Sequence, residues 1–369
     1  MKVIIGLSGG VDSAVAAYLL KQRGYDVEGL FMRNWDSSLN NDFLGNPDLT
    51  GHDICPQEED YKDALEVAAK LGIKLHRSDF VEEYWEKVFM KFLEEVKKGR
   101  TPNPDVLCNR FIKFDAFLKE AKKLGAEKIA TGHYAKYEDG YLKLSKDTNK
   151  DQTYFLSYLD KEQLKDVIFP LDNLTKDEVR EIARNIGLNV ASKKDSTGIC
   201  FIGERNYAKF LKNYLKDNEG DVVDITSEKV IGRHNGLMYY TIGQGKGLNL
   251  DTAGVKYFVC GKDTKRNVLY VTPAGHAEYL MSDAAFVENP IFNCDLRPQE
   301  VYVRFRHRAP LVKAKAIYLD GEVYITYDKF RAVTPGQEAA FYYNDICIGG
   351  GAVKSVHKNN CQLWYIVWP

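Results

Sequence analysis

The stretch Val3-Ile4-Ile5-Gly6-Leu7-Ser8-Gly9-Gly10-Val11-Asp12-Ser13 (residues 3–13) decides how the first half of this chain folds. Val3 to Leu7 is an apolar run with no alternation, the pattern of a strand covered on both faces. From Val11 onward, Val11, Val15, Ala16, Tyr18, Leu19 and Leu20 recur at helical spacing. The segment is therefore a strand, a loop and a helix. Gly9 and Gly10 permit positive φ and close backbone approach. The helix start offers unpaired N–H groups and the positive end of the helix dipole, a phosphate cradle. The pattern lacks the Gly-x-x-x-x-Gly-Lys of a Walker loop and the Gly-x-Gly-x-x-Gly of a dinucleotide fold. Ser8, Ser13 and the loop N–H groups suit a pyrophosphate, and Asp12 offers Mg²⁺ a hard oxygen ligand.

Working outward, strands and helices alternate. Asp26 to Met32 reads as a second strand, with Met32 at its carboxyl end, where open α/β sheets bind adenine. Tyr61–Leu71 is a helix and Leu75–Phe80 a strand. Tyr84–Lys98 is a helix stopped by Gly99, and Phe111–Leu124 is another. Ile129 to Tyr134 is a strand end, where Gly132 would admit a nucleotide. This order predicts an α/β, doubly wound parallel sheet. Leu174–Leu188 is a helix with a Thr175/Glu178 capping box. Its Lys176, Arg180 and Arg184 read as a solvated face rather than phosphate ligands. Residues 36–54 read as a loop, a lid over the nucleotide.

Bulk properties bound the rest. The chain has 369 residues and a net charge of −1, so it is multidomain and any nucleic-acid contact must come from a local patch. No apolar run approaches 18 residues, and the start resembles no export signal, which predicts a cytoplasmic protein without membrane contact. The seven cysteines lack paired metal-ligand spacing and read as reduced thiols. Five are taken as small buried hydrophobes; Cys108 and Cys200 sit in loops of unusual composition, TPNPDVLCN (101–109) and DSTGICFIG (195–203). With a helix beginning near Phe111, Cys108 would lie at its N-terminus, where a thiol is activated, with Lys113 helping.

Residues 206–275 shift to short strands between glycine turns, and HNGLMYYTIGQGKGL (234–248) suits RNA stacking as well as it suits a β core. After Pro290 the alternation predicts a small antiparallel barrel. In its first strand Arg304, Arg306 and Arg308 fall on one face, a row fit for a phosphate backbone. The expected domains are 1–205, 206–280 and 281–369.

GLSGGVDS, TPNPDVLCN, TGHY, KDQTYFL and DSTGICFIG, in this order across the whole chain, resemble the tRNA-uridine 2-sulfurtransferases, the tRNA-specific 2-thiouridylases, whose first domain is an ATP pyrophosphatase (PP-loop) domain. The resemblance implies a small, mostly β central domain and a C-terminal β-barrel, both touching tRNA. It implies ATP-dependent 2-thiolation of the wobble uridine in tRNAs for Lys, Glu and Gln. Gly6, Leu7, Ser8, Gly9, Gly10, Val11, Asp12, Ser13, Met32 and Gly132 match ATP-contacting positions. Asn103, Pro104 and Asp105 match the segment meeting the target base, with Asp105 as general acid/base. Cys108 matches the nucleophile and Cys200 the persulfide-bearing cysteine, so the two thiols should come within disulfide range. Lys150, Asp151 and Gln152 match one tRNA-contacting segment. Arg306 and His307 match a second, where the family more often carries Arg-Tyr. A sulfur-relay protein or cysteine desulfurase is implied as persulfide donor. Asp105, Cys108 and Cys200 leave open a rival use, ligating an iron–sulfur cluster, disfavoured because only two thiolates are present.

Overall fold

The computed structural model describes residues 1–37, 39–42, 56–194, 207–248, 250 and 254–367. The lid expected at 36–54 and the Cys200 loop lie largely or wholly outside these residues.

The first sheet has five strands in the order β3-β2-β1-β4-β7: β1 (Lys2–Gly6), β2 (Asp26–Arg33), β3 (Leu75–Asp79), β4 (Lys128–Ala130) and β7 (Val167–Ile168). All four pairings are parallel. Val3, Ile4 and Ile5 are buried on both faces because helices cover both. On one side pack α1 (Val11–Gln22), α2 (Pro56–Leu71) and the Lys176–Asn185 helix. On the other pack the helical stretches 81–97 and 104–123. The strand order reverses between β1 and β4, so a ligand crevice opens outside their carboxyl ends. Both helical stretches contain π segments, Trp85–Phe89 and Asn109–Ala116. A π turn frees carbonyls from the usual ladder. Gln163 recovers two of them, donating from Nε2 to Arg110 O (2.8 Å) and Phe114 O (3.2 Å).

The second sheet joins β8 (Gly220–Asp224), β9 (Lys229–His234), β10 (Tyr257–Asp263), β11 (Val268–Pro273) and β19 (Ile366–Val367). Where a strand was expected from Met238 to Thr241, Leu237–Tyr239 is a 3-10 turn after Gly236, whose φ is 151°. The third sheet runs β12 (Met281–Phe292), β15 (Glu322–Arg331), β14 (Val312–Leu319), β13 (Glu300–Arg304), β16 (Glu338–Tyr343) and β17 (Ile346–Lys358). β12 pairs with β17 as well as β15, which closes a six-stranded antiparallel barrel. A hairpin from the first domain, β5 (Lys136–Glu138) and β6 (Tyr141–Lys143), joins its edge through β17. Among the described residues no helix is long and apolar enough to cross a membrane.

Candidate active site

The loop after β1 is held from within and left open at its helix end. Gly9 takes φ +72°, and a Cβ there would lie 2.2 Å from the Asp60 carbonyl oxygen, so only glycine fits. The Ser13 hydroxyl accepts from Ser8 N–H (3.2 Å) and donates to Gly10 O (3.1 Å), which braces the turn. Ser8 remains exposed. Gly10 caps α1 without a side-chain bond, so no cap occupies the first N–H groups of the helix. Lys193 fastens the outside, donating to Gly9 O (3.1 Å) and Asp60 (2.7 Å).

Gly132 is also required by packing. A Cβ at that position would meet Ser13 N at 2.8 Å and the Asp12 carbonyl carbon at 2.9 Å. Its missing side chain lets the first turn of α1 pack on the end of β4. The following segment is rigid. Thr131 Oγ1 lies 2.7 Å from His133 Nδ1, and the ring sits against Phe114 and Phe169. Burial holds His133 well below its ordinary value, so it is neutral.

Lys176 is the residue that the sequence misplaced. It is buried, not solvated, and its ammonium lies 2.8 Å from both Asp12 carboxylate oxygens. The Tyr134 hydroxyl also donates to Asp12 Oδ1 at 2.8 Å. Thr175 caps the Lys176 helix as expected, and the cap places Lys176 at its first position. Nothing local in the sequence announces a partner 164 residues upstream. Arg180 also turns inward, donating to Ala191 O (2.9 Å) and Lys193 O (3.1 Å).

Asp12 fits a magnesium ion by donor chemistry: one carboxylate beside open loop N–H groups suffices when phosphates supply further oxygens. Its side chain keeps 32% exposure. Among the described residues no cluster of three metal-ligating side chains stands elsewhere.

The 104–123 helix connects this loop to Asp105 and Cys108. It starts seven residues before Phe111, because Asn103 caps it, accepting from Asp105 N–H (3.1 Å), and Pro104 opens the first turn. Asp105 therefore occupies the positive helix end, while Cys108 lies past the first turn. The expectation that Cys108 sits at the helix N-terminus is corrected by this cap. Cys108 is buried within the apolar core that also holds Ile112, Phe114 and Phe117. Nine residues beyond Cys108, the Phe117 ring reaches the end of β1. A Cβ on Gly6 would lie 3.6 Å from that ring and 3.2 Å from the Met32 methyl. Cys108 thus lies on the same continuous helical stretch as Phe117, nearer its start. Cys200 lies outside the described residues, as does its pairing with Cys108.

The remaining candidates are mostly internal braces. Asp151 is buried and accepts from Ser145 N–H (3.0 Å), Thr153 (2.6 Å) and Arg304 (3.0 Å). Burial pushes its carboxyl above the usual range against these donors. Gln152 accepts from Tyr134 N–H at 3.0 Å. The arginine row is corrected too, since β13 ends at Arg304 and Arg308 turns at φ +62°. Arg306 donates to Gln337 (2.9 Å), Ile242 O (3.1 Å), Ala332 O (2.8 Å) and Thr334 (3.0 Å). His307 packs against Phe155 in a tilted arrangement with centroids 4.6 Å apart; burial, with Arg308, Arg304 and Lys150 nearby, pushes it down to about 4. A cationic cleft of about 470 Å³ opens between Thr148–Lys150 and Arg304, Arg308 and Ala309.

A parallel sheet that reverses at β1/β4, ending in a self-braced Ser-Gly-Gly loop before an uncapped helix, defines a PP-loop domain, here joined to a small β domain and a six-stranded barrel. Residues 1–204 match the family described as tRNA methyl transferase HUP domain. Residues 208–273 match the tRNA methyl transferase PRC-barrel domain, and 282–353 the Aminomethyltransferase beta-barrel domain. Over 367 residues the chain is 54% identical to the tRNA-specific 2-thiouridylase MnmA of Mycoplasmopsis synoviae, covering 99% of this chain and 98% of that protein. It is 56% identical over 371 residues to the protein of that name from Mesoplasma florum, covering 96% and 99%. The chain belongs to the tRNA-specific 2-thiouridylase family, a family of sulfurtransferase enzymes that use a PP-loop fold.

Proposed function

We propose that this enzyme activates the 2-carbonyl oxygen of the wobble uridine in tRNAs for Lys, Glu and Gln with ATP, and replaces it with sulfur from a cysteine persulfide. One observation carries the proposal: a single helix bears Asp105 and Cys108 at one end and touches the loop strand through Phe117 at the other. Loop and thiol thus share one rigid element.

The N–H groups at the start of α1 and exposed Ser8 would bind the β- and γ-phosphates, and Met32 would line the adenine side. Lys176, paired with Asp12, would turn toward phosphate, which would free the Asp12 carboxylate to hold Mg²⁺. When bound, the ion supplies charge neutralisation to the leaving pyrophosphate. Asn103, Pro104 and Asp105 would receive the base, with Asp105 moving protons. The uridine oxygen attacks the α-phosphorus and pyrophosphate leaves. The Cys200 persulfide then adds its terminal sulfur to C2. Cys108 takes the Cys200 sulfur into a disulfide, and AMP departs with the former carbonyl oxygen. Cys108 must gain access from its buried position, which couples sulfur transfer to tRNA binding. Lys150 and Arg308, at the mouth of the cationic cleft, are assigned to the tRNA backbone, with His307 presenting a neutral ring.

The test is mass spectrometry of tRNA nucleosides after incubation with ATP, Mg²⁺ and a persulfide source. The expected product is 2-thiouridine at the wobble position, lost in Cys200→Ser, which should still release pyrophosphate in a tRNA-dependent manner. Full thiolation by Cys200→Ser would refute the persulfide assignment.

A further inference from the structure

The loop 99–103, which leads into Pro104 and Asp105, is gripped by the other two domains. Lys262 of β10, itself buried, donates to Gly99 O at 2.8 Å. Arg100 pairs with Glu288 of β12 and donates to Val353 O (3.0 Å). Thr101 N–H donates to Pro335 O at 3.0 Å. Gly336 has φ +87°, and a Cβ on it would lie 2.8 Å from Arg100 Cβ and 2.9 Å from Thr101 N. Only glycine lets the 335–337 turn lie against this loop.

Two residues on, β16 begins with Glu338, only 3% exposed. Among the described residues its Oε2 has no hydrogen-bond partner, and neither does the Arg100 Nε. The Tyr154 hydroxyl donates to the Glu338 carbonyl oxygen (3.2 Å) and lies beside the Asn103 side chain. The titratable and charged groups around the carboxyl are Arg100, Asp105, Tyr154 and Tyr158, with Glu288 behind Arg100. A buried carboxylate with one oxygen left unpartnered is expensive, which favours the neutral form. Burial pushes it up to about 8, its own backbone N–H and Arg100 pull it down, and the Asp105 charge raises it.

We propose that Glu338, delivered by the barrel, is a positioning residue for Asp105: as a neutral carboxyl it leaves Asp105 the one negative charge facing the target base, and its ionisation disables that site. The inference rests on the proposed role of Asp105. It gives the barrel a part in the chemistry beyond tRNA contact, since the residue that sets the charge state around Asp105 arrives only when the barrel is docked.

Two measurements test it. Carbon-13 NMR of the glutamate-labelled full chain should show one carboxyl resonance titrating near pH 8, absent in Glu338→Gln. In Asp105→Asn that midpoint should fall, because a like charge is gone. This reads Glu338 whether or not the enzyme turns over, so it separates failure of the inference from failure of the proposed function. No such resonance, or a midpoint unmoved by Asp105→Asn, overturns the inference. Single-turnover thiolation between pH 6 and 9.5 is the second measurement. The parent rate should fall at least fivefold from pH 7.5 to 9.5, and Glu338→Gln should fall less than twofold. Superimposable profiles overturn the proposal. Should the glutamine variant fold poorly, Glu338→Met makes the same comparison.

Discussion

The glycine loop after β1 and the arginine segment 304–308 both have the composition of a phosphate contact, yet the fold uses them differently. The loop is closed by its own atoms: Ser13 braces Ser8 and Gly10, and the helix N–H groups are left for a ligand. The arginines are claimed by distant neighbours. Arg304 neutralises buried Asp151, 153 positions away, and Arg306 fills four interior acceptors around residues 242 and 332–337. A backbone motif carries its geometry with it. A side-chain motif has no fixed use until the fold has chosen its partners.

That contrast can be broken by mutation. Arg304→Ala should cost most, about 3–5 kcal/mol, because it strands a buried carboxylate. Thermal unfolding reads this, and a near-parental melting temperature would mean that Arg304 is spare for tRNA. Asp12→Asn should lower tRNA-dependent pyrophosphate release by roughly 100-fold or more, the usual scale for losing one charge-stabilising group. Retained activity would move the nucleotide away from the loop. Gly9→Ala forces φ +72° on a residue with a Cβ against Asp60 and should cost about 1–3 kcal/mol. Denaturant titration would measure it. Arg308→Ala should leave stability alone and reduce the salt slope of tRNA binding by about one; an unchanged slope removes Arg308 from the interface.

A further effect concerns pH. His307 is held down to about 4 in the folded chain. The unfolded chain binds the proton first, so the His307 contribution to stability is present above about pH 6.5 and is lost as pH falls toward 4. His307→Tyr should flatten stability across that window, seen as a melting temperature less sensitive to acid. A parental slope would place the acid sensitivity elsewhere.

Much of the architecture was legible because it rests on local pattern. The double-covered strand Val3–Leu7, the Thr175 capping box and the alternating barrel strands each follow from neighbours within a few residues. Helix starts were less legible. Asn103-Pro104 looks like a loop, but Asn accepts from the Asp105 N–H and Pro preorganises the first turn, so the helix begins there. Met238-Tyr239-Tyr240 carries strand propensity, but Gly236 at φ 151° turns the chain into a 3-10 segment. The site was half legible for the same reason: the loop is local, whereas Lys176 on Asp12, Lys193 on Gly9 and Glu338 near Asp105 are joined only by tertiary packing.

The most direct measurement follows one oxygen atom. Substrate tRNA bearing oxygen-18 at C2 of the wobble uridine is incubated with enzyme, ATP, Mg²⁺ and a persulfide donor, and the nucleotide products are weighed. Activation at the loop followed by displacement from the cysteine side predicts AMP carrying the heavy oxygen in step with 2-thiouridine formed. Heavy oxygen in water or pyrophosphate, with unlabelled AMP, would contradict the account.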